Sequence, residues 1–303
     1  MDNVYSKLVD RNIGILTEEQ QKKLEKTCVA VFGLGGHGGV ASQLLARSGI
    51  GKLKIVDIEK FETSNLNRQV YCYMSTIDKE KVDVAEHFLK DINPEIEIES
   101  FHTTNGETIN KMLDGTTVAL LCIDDVVPSI HVARACRERG IPMIETGAMP
   151  FQNLRVYTKD TITFEEFHDF PTQRIKTEDL YDLDENIRGQ IKRKLVMAFS
   201  DIKGIQNFYN SEAIEKMKKG VFPTFAPMVW LQATMIALEA VKIILNWGKI
   251  SLVPKYALYD PIQYEIPTRS AVKRTLINLF DHFIRKNKEK IILLIYSLFL
   301  PSF

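Results

Sequence analysis

The sequence predicts an α/β protein with a Rossmann-like, doubly wound and mainly parallel sheet, for three reasons. Between residues 28 and 146, compact apolar runs alternate with helical stretches, as βαβ units require. A glycine-rich turn separates the first apolar run from the first helical stretch. Hydrophobic residues make up 45% and charged residues 26% of the 303 residues, which excludes collagen-like, coiled-coil and disordered chains.

The apolar runs and the helical spacing give the order of elements in the first half. Strands are predicted at 28–33, 53–58, 95–101, 117–123 and 142–146. Helices are predicted at 37–48, 79–89 and 129–139, and Gly49 and Gly140 follow two of them, where a glycine commonly ends a helix. Polar and apolar residues alternate in the third strand, which therefore lies nearer an edge, whereas the wholly apolar fourth strand is central.

The second half predicts a crossover, a long helix and a short extension of the sheet. Residues 160–220 are rich in charged residues and glutamine, and predict a helical or partly mobile crossover that acts as a lid. A helix is predicted at 226–247, ended by Gly248, and short strands at 256–259 and 263–266 add a mixed-strand extension. We expect one domain over residues 1–270, followed by a basic and apolar extension over 271–303.

Charge and cysteine content exclude several classes of function. Lys plus Arg and Asp plus Glu both number 39, so no net positive field favours nucleic acid. The four cysteines are widely spaced, which argues against a disulfide framework and fits a reducing compartment. Residues 1–25 are polar and charge-rich, unlike a secretory signal. We therefore expect a cytoplasmic protein without a nucleic-acid partner.

The glycine-rich turn and a downstream acid predict a bound nucleotide. The turn reads Gly33-Leu34-Gly35-Gly36-His37-Gly38, directly after a predicted strand and before a helix. Such glycines let the backbone approach phosphate oxygens at the positive end of the helix. Asp57 ends the second predicted strand, where a carboxylate accepts hydrogen bonds from ribose hydroxyls. These residues do not distinguish NAD from ATP, and without a ligand they would form a tight turn with a capping acid.

Four polar residues beyond this turn favour ATP. They are Asn65, Arg68, Lys81 and Asp124. A triphosphate needs cations that an NAD site does not, and a carboxylate at Asp124 suits the Mg²⁺ that offsets the remaining charge. Each has an ordinary structural alternative: Arg68 and Lys81 as solvated surface charges, and Asp124 as a helix cap before Pro128.

Together these motifs resemble the ThiF/MoeB/HesA family of ubiquitin-activating-type adenylyltransferases. The matching positions are Gly33 to Gly38, Asp57, Asn65-x-x-Arg68-Gln69, Lys81, Asp124, Arg11 to Ile15, Phe222 to Pro227 and Glu239 to Leu245. The resemblance covers roughly residues 5–267. It implies an adenylation domain over residues 1–270 that uses ATP and Mg²⁺ to activate a carboxylate as an acyl adenylate, with release of pyrophosphate.

The resemblance also implies a role for each matched residue. Those expected to bind the nucleotide are Gly33, Gly35, Gly36 and Gly38 at the phosphates, Asp57 at the ribose, and Asn65, Arg68 and Lys81 at the phosphates. Arg68 and Lys81 would also stabilise charge at the α-phosphorus, and Asp124 would bind Mg²⁺. Arg11 matches an arginine that reaches the nucleotide of the partner subunit, which implies a homodimer with shared sites. The carboxylate would belong to a ubiquitin-like sulfur-carrier protein, a peptide or a metabolite.

The sequence departs from the family in its cysteines. Many relatives hold a structural zinc on two Cys-x-x-Cys pairs, but no such pair occurs here and no cysteine follows Cys136, so no zinc is expected. The same absence removes the cysteine with which some relatives form a thioester or persulfide. We therefore expect the adenylate to be the final product or to pass directly to an external nucleophile. Cys72 lies between two tyrosines and Cys122 ends a core strand, so both are expected to be structural.

Three segments have two interpretations each. His37 either contacts a phosphate or the substrate, or fills a variable position of the glycine loop. Residues 164–170 either shape the substrate channel or form a solvated helix. The basic stretch 285–290 and the apolar run 291–300 give residues 286–303 either a peripheral membrane contact or a place as a final packed helix.

Three other functions share some of these motifs. A dehydratase of the same fold that activates the carboxylate of a modified tRNA base has the glycine loop and the Asn-x-x-Arg-Gln motif. The glycine loop and Asp57 alone also suit an NAD-binding oxidoreductase. A non-catalytic scaffold that keeps the nucleotide fold is the third alternative.

Overall fold

The apolar runs of the sequence form the strands of one sheet. The structure, a computed structural model, describes residues 4–146, 152–197, 209–218, 223–264, 266, 275–276 and 279. The strands in this part of the chain are β1 (Cys28–Phe32), β2 (Lys52–Val56), β3 (Glu97–Phe101), β4 (Val118–Leu121), β5 (Met143–Glu145), β6 (Gln152–Tyr157) and β7 (Ala257–Tyr259). Their order across the sheet is β3-β2-β1-β4-β5-β6-β7.

The first five strands are parallel and the last two form an antiparallel extension. β1 to β5 pair in parallel, whereas β6 runs antiparallel to both β5 and β7. β4 lies at the centre and β3 at an edge, as predicted. The polar positions of β3 pair with the neighbouring strand, because Lys52 forms ion pairs of 2.5 Å with both Glu97 and Glu99. The predicted mainly parallel sheet with a mixed C-terminal extension is therefore confirmed.

Helices cover both faces of the sheet, as a doubly wound fold requires. They are α1 (Val4–Val9), α2 (Glu18–Glu25), α3 (Gly36–Arg47), α4 (Lys81–Ile92), α5 (Gly106–Leu113), α6 (Val126–Arg139), α7 (Phe164–His168), α8 (Glu185–Met197), α9 (Ser211–Lys218) and α10 (Ala226–Leu245). On one face, α3, α4 and α10 bury residues such as Leu45, Val82 and Ile236. On the other, α5 and α6 bury residues such as Ile109 and Ile130. Because helices cover both faces of the sheet, accessible polar groups are found on the loops at the ends of the strands.

The predicted ends of α3 and α6 are confirmed, since a glycine follows each of these helices. Gly49 (φ 82°) and Gly140 (φ 67°) adopt the left-handed conformation after α3 and α6. α10 instead ends at Asn246 (φ 54°), before Gly248, because asparagine also tolerates this conformation. α10 has the length and hydropathy of a membrane span, but 61% of its most apolar window is buried inside the protein. It is therefore a core helix of this fold.

Some elements differ from the prediction. Four elements, α1, α2, α5 and β6, have no counterpart among the predicted elements. β6 lacks a clear apolar alternation because its buried positions include Gln152, Asn153 and Arg155. The strand predicted at 263–266 is wrong: Gln263 and Tyr264 lie in a turn, with Tyr264 at φ 57°.

The crossover is helical where the structure describes it. It contains α7, a 3-10 turn over Glu178–Asp182, α8 and α9. Leu180 and Ile191 are fully buried in the core on the α6 face, so this part of the crossover packs on the body. Its role as a lid stays a prediction. The predicted boundary at residue 270 and the segments 285–290, 291–300 and 286–303 lie outside the described residues.

Candidate nucleotide site

Apart from Arg11, the predicted site residues lie on elements that reach the carboxyl edge of the sheet, where the strand order reverses. β2 and β3 lie on one side of β1, and β4 and β5 lie on the other. The connections from β1 and β4 therefore lead in opposite directions and leave a crevice, which is where doubly wound folds bind ligands. Gly33 follows β1 directly, Asp57 follows β2 directly, and Asp124 lies in the loop after β4.

Three of the four predicted glycines are required by close packing. Gly33 has φ 93°, and a Cβ there would lie 2.5 Å from the Cys122 carbonyl oxygen. A Cβ at Gly36 would lie 2.6 Å from Val229 Cγ1, and one at Gly38 would lie 1.8 Å from the Gly33 carbonyl oxygen. No side chain fits at these distances, so the loop packs directly against the β4 loop and α10.

Gly35 differs, because the space beside it is open to a ligand. A Cβ there would meet only the Gln69 side chain, 3.6 Å from Nε2. Gly35 is also the N-cap of α3 and supplies no side-chain cap, so the first N–H groups of α3 lack intrahelical acceptors. Gln69 Oε1 is buried and has no hydrogen-bond partner in the described part of the chain. An uncapped helix N-terminus beside an open glycine fits an anionic ligand such as phosphate.

Asp57 holds the glycine loop in place. Its Oδ2 accepts the Leu34 N–H at 2.7 Å, and its Oδ1 accepts the Glu59 N–H at 3.0 Å. The carboxylate thereby ties the loop after β1 to the loop after β2. A carboxylate has about four lone-pair directions, so these two bonds leave capacity to accept from ribose hydroxyls. The predicted ribose contact stays a prediction.

Asn65 and Arg68 lie together in the loop that follows β2. Asn65 is buried, and its Oδ1 accepts the Glu62 N–H at 3.2 Å, which stabilises a 3-10 turn. Arg68 is half-buried, and its side chain lies beside Gly36. The Arg68 carbonyl oxygen accepts the Trp230 Nε1–H at 2.9 Å, so α10 holds this loop against the glycine turn. The guanidinium itself donates to the Ser64 carbonyl oxygen at 3.0 Å and to Asn67 Oδ1 at 2.9 Å. Its predicted contact with the phosphates stays a prediction.

Lys81 is a buried amine, so its interpretation as a solvated surface charge is wrong. It is the first residue of α4 and is only 2% exposed. Its Nζ lies 2.5 Å from Glu59 Oε2 and 5.9 Å from the centre of the Phe61 ring. The Glu59 side chain is 68% exposed. A buried cation whose partner is solvated can exchange that partner for a phosphate oxygen.

Asp124 shares its electrostatic environment with both predicted cations. Burial and the Glu59 carboxylate raise the pKa of Asp124, while Arg68 and Lys81 oppose this shift. The residue as a whole is nevertheless exposed to solvent. Asp124 is therefore close enough to Arg68 and Lys81 to feel their charges and is accessible to solvent. We call the region of Gly35, Arg68, Lys81 and Asp124 the nucleotide recess.

The neighbouring acid, and not Asp124, caps the following helix. Asp125 is the N-cap of α6 and accepts the Val127 N–H at 3.2 Å. The alternative role of Asp124 as the helix cap is therefore wrong. Among the described residues, no group of three or more His, Cys, Asp or Glu is placed to hold a metal ion. A Mg²⁺ at Asp124 would take most of its ligands from phosphate oxygens and water, as Mg²⁺ commonly does.

Arg11 lies far from the nucleotide recess of its own chain. It is exposed, in a 3-10 turn over Asp10–Asn12. Asn12 Nδ2 donates to Gln21 Oε1 at 3.1 Å and to the Ser48 carbonyl oxygen at 3.5 Å, at the carboxyl end of α3. The recess lies at the other end of this helix, about 17 Å away at the usual helical rise. The structure therefore does not bring Arg11 to the site within one chain.

The cysteines have the properties of structural thiols. Burial, followed by the charge of Asp124, raises the pKa of Cys122 to about 12, and burial raises that of Cys136 to about 12. Burial also raises the pKa of Cys28 and of Cys72. A nucleophilic cysteine needs a lowered pKa.

Residues 164–170 do not form a solvated helix, and their role in shaping a substrate channel stays a prediction. His168 is buried and its Nε2 lies 3.0 Å from Glu145 Oε1. Glu165 is buried and receives two hydrogen bonds of 2.8 Å from the Arg134 guanidinium. Glu165 and His168 are therefore paired internally and anchor the crossover to α6 and β5, whereas Glu166 of α7 is exposed. The solvated-helix alternative is wrong.

Three residues of the site are absent from the prediction. Glu59 pairs with Lys81, and Val229 and Trp230 of α10 pack against the glycine turn and the Arg68 loop. Glu59 sits in a run of charged and apolar residues with no motif. Val229 and Trp230 are separated from their partners by more than 160 residues, so no local pattern marks them.

Comparison with known families decides the assignment. A family profile described as ThiF family matches residues 9–276. The chain belongs to the ThiF family. The resemblance predicted from the motifs between Gly33 and Asp124 is therefore confirmed.

Relatives of this ThiF-family protein carry names of several activities. It is 35% identical over 140 residues to the tRNA threonylcarbamoyladenosine dehydratase of Bacillus subtilis, covering 45% of this chain and 54% of that protein. It is 33% identical over 159 residues to ubiquitin-like modifier-activating enzyme 5 of Xenopus laevis, covering 48% and 39%. It is 27% identical over 231 residues to the molybdopterin-synthase adenylyltransferase of Haemophilus influenzae, covering 76% and 79%. The chain thus spans about half or less of the length of the first two relatives.

Solved structures share the ThiF-family fold. The crystal structure of PaaA superposes with a TM-score of 0.62 at 21% identity, covering 89% of this chain and 74% of PaaA. The structure of E. coli MccB with ATP superposes with a TM-score of 0.58 at 21% identity, covering 83% and 65%. These structures confirm the Rossmann-type fold.

Proposed function

We propose that this protein is an ATP-dependent adenylyltransferase that activates a carboxylate as an acyl adenylate. The observation that carries the proposal is the convergence of Arg68, Lys81 and Asp124 on the recess beside Gly35. A site for NAD does not require a buried lysine such as Lys81, whose solvated partner Glu59 can be replaced by a phosphate oxygen. A triphosphate needs such a group, because each added phosphate brings negative charge into a partly dry site.

ATP fits the nucleotide recess in both charge and shape. The uncapped N-terminus of α3 offers N–H donors, and Gly35 leaves room for a phosphate to approach them. Lys81 can exchange Glu59 for a phosphate oxygen, since Glu59 is solvated. Asp57 keeps acceptor capacity toward ribose hydroxyls. Mg²⁺ at Asp124 would neutralise charge on the phosphates and polarise them.

The proposed reaction forms one bond and breaks one. A carboxylate oxygen attacks the α-phosphorus, the bond from that phosphorus to the bridging oxygen breaks, and pyrophosphate leaves as an anion with the electron pair. Arg68 and Lys81 stabilise the charge that develops on the phosphoryl oxygens. Asn65 supports Arg68 by holding its loop. No cysteine follows Cys136 in this sequence, so in this proposal the adenylate is the final product or passes directly to an external nucleophile.

We place Arg11 in the site of a second subunit. It is exposed and lies at the carboxyl end of α3, whereas the recess lies at the other end of this helix, which is about 17 Å long, more than a side chain spans. A homodimer that brings the turn over Asp10–Asn12 to the partner's recess would add a cation to the phosphates. Exposed apolar side chains beside Arg11, at Ile13 and Ile15, support such an interface.

The carboxylate substrate is proposed from the named relatives. Ubiquitin-like modifier-activating enzyme 5 and molybdopterin-synthase adenylyltransferase favour the C-terminus of a ubiquitin-like carrier protein. The tRNA threonylcarbamoyladenosine dehydratase, at 35% identity, favours a second candidate, the carboxylate of a modified tRNA base. Both candidates use the same adenylation step and differ in the acid supplied.

Exchange of radioactive pyrophosphate into ATP tests the proposal. Wild-type protein with Mg²⁺ should show exchange with one member of a panel of Gly-Gly-ended carrier proteins, peptides, metabolite acids and tRNA carrying a modified base. Arg68→Ala and Asp124→Ala should abolish it, whereas Lys60→Ala should not, because Lys60 is exposed and pairs only with Glu80 among the described residues. Wild-type exchange in both site variants would overturn the assignment of the recess.

A further inference from the structure

His37 occupies an unusual position within the glycine loop. It is the second residue of α3, and its Nδ1 lies 3.4 Å from Thr146 Oγ1. Its Nε2 is buried and has no hydrogen-bond partner within the described ranges. Burial, followed by the charge of Arg68, lowers the pKa of His37 to about 4, so the ring is neutral at pH 7. A buried ring nitrogen without a partner costs free energy, which a bound ligand would recover.

The contact with Thr146 places the His37 ring toward the β5 side of the loop. Asp57 follows β2, on one side of β1, whereas Thr146 follows β5, which lies two strands away on the other side. The phosphates are expected between these positions, over the loops of β1 and β4. The space toward β5 therefore remains for the group that attacks the α-phosphorus.

A second buried polar side chain lies on the same side. Gln152 begins β6, beside β5, and is 0% exposed. Both its amide nitrogen and its amide oxygen lack hydrogen-bond partners in the described chain. Because side chains alternate along a strand, Gln152 shares the face of Leu154, which packs in the core of α3 and α10. Gln152 thus lies on the sheet face that α3 covers, at the same edge as Thr146.

We propose that His37 and Gln152 form the subsite that holds the carboxylate of the acid substrate. Their N–H groups would donate to its oxygens beside the positive end of α3. This inference rests on the adenylyltransferase function proposed above. Neutral donors suit the task, because they orient the carboxylate without the strong ion pair that would lower its reactivity. His37 and Gln152 transfer no proton, since the carboxylate is already ionised and pyrophosphate leaves as an anion.

Nuclear magnetic resonance of the full chain tests this subsite without knowledge of the natural acid. The protein is labelled with ¹⁵N-histidine, which gives resonances from six histidines, and His37→Gln identifies that of His37. Sodium acetate and glycylglycine are the probes, with sodium chloride at equal ionic strength as control. Titrations are run without nucleotide and with the Mg²⁺ complex of the α,β-methylene analogue of ATP. We expect a saturable shift of the His37 Nε2 resonance with both carboxylates and not with chloride.

Two substitutions separate a binding role from a packing role. Because these variants lack the His37 resonance, their acetate binding is followed by the backbone amide shifts of the glycine loop in uniformly ¹⁵N-labelled protein. His37→Gln keeps an N–H donor and should bind acetate within about threefold of the wild type. His37→Leu should bind at least about tenfold more weakly, as expected on losing a hydrogen bond to a charged group. Gln152→Leu should also weaken acetate. His87→Leu, at an exposed position on α4, is the matched control. Equal binding by His37→Leu and the wild type would overturn the proposal.

The titrations with the ATP analogue distinguish a failure of the carboxylate subsite from a failure of the adenylyltransferase function on which it rests. A His37 shift produced by the ATP analogue, with no further shift on acetate, would assign His37 to the phosphates and overturn the carboxylate subsite. Binding of acetate without binding of the analogue would support the subsite and contradict the adenylyltransferase. Absence of any carboxylate effect in either titration would also overturn the subsite.

Discussion

Replacing Lys81 with methionine should weaken nucleotide binding while leaving the fold intact. Lys81 is 2% exposed, and its partner Glu59 is 68% exposed, so the substitution leaves no unpaired charge in the interior. Methionine retains the apolar stem that packs at this position. An ion pair with one solvated partner contributes about 1 kcal/mol or less. We therefore expect the free energy of unfolding of Lys81→Met to lie within about 1 kcal/mol of the wild type.

Affinity for Mg·ATP should change far more than stability. A hydrogen bond between charged groups is worth about 1.5–3 kcal/mol, and 1.4 kcal/mol is a factor of about ten. The Kd of Lys81→Met for Mg·ATP should therefore rise by roughly 10- to 100-fold in isothermal titration calorimetry at fixed salt. Lys60→Met is the matched control, since Lys60 is 60% exposed and pairs with Glu80. A Kd for Lys81→Met within threefold of wild type, or equal weakening by both variants, would refute the placement of Lys81 on a phosphate.

Four further results are expected. Because burial and Glu59 raise the pKa of Asp124, its ionised form costs stability at neutral pH, so Asp124→Asn should raise the Tm of ligand-free protein at pH 7. This gain should vanish below the ordinary carboxyl pKa, and an unchanged Tm at pH 7 would contradict the shift. Arg11→Ala and Asp124→Ala subunits, each inactive alone, should recover about a quarter of wild-type exchange when they are mixed and allowed to re-form dimers. About half of the dimers then contain one subunit of each kind, and each mixed dimer has one complete site of two. No recovery of exchange would contradict a shared site. Gly38→Ala should lower stability by about 1–3 kcal/mol in denaturant unfolding, because its Cβ would lie 1.8 Å from the Gly33 carbonyl oxygen. Wild-type stability would contradict that packing. Deleting residues 286–303 should reduce sedimentation with anionic vesicles, and unchanged sedimentation would contradict a membrane contact there.

The sequence predicts those parts of the fold whose signals are local. The parallel strands follow from apolar runs, and the edge position of β3 follows from its alternating polar residues. Gly33 and Gly140 mark turns because their backbone conformations, at φ 93° and φ 67°, favour glycine. β6 escapes prediction because its buried polar residues Gln152, Asn153 and Arg155 interrupt any apolar alternation. The contact that holds β6 to α10 is non-local, since the Asn153 backbone N–H donates to Gln232 Oε1 at 2.8 Å.

The candidate site shows the same division. Arg68, Lys81 and Asp124 are predicted because their residue types match a phosphate-binding and metal-binding pattern. The pairing of Lys81 with Glu59 depends on how the β2 loop folds back on α4, which the spacing alone does not specify. The sequence likewise does not specify whether Asp124 or Asp125 caps α6, because moving the start of the helix by one residue exchanges their roles.

Exchange of radioactive pyrophosphate into ATP, run with Mg²⁺ against the acid panel, tests the central claim most directly. The adenylyltransferase reaction predicts exchange that requires both Mg²⁺ and one acid, and that is lost in Arg68→Ala. Thermal unfolding with Mg·ATP or NAD, run in parallel, reports which nucleotide the recess binds. A rise in Tm with NAD and none with Mg·ATP, together with no exchange for any acid, would contradict the account.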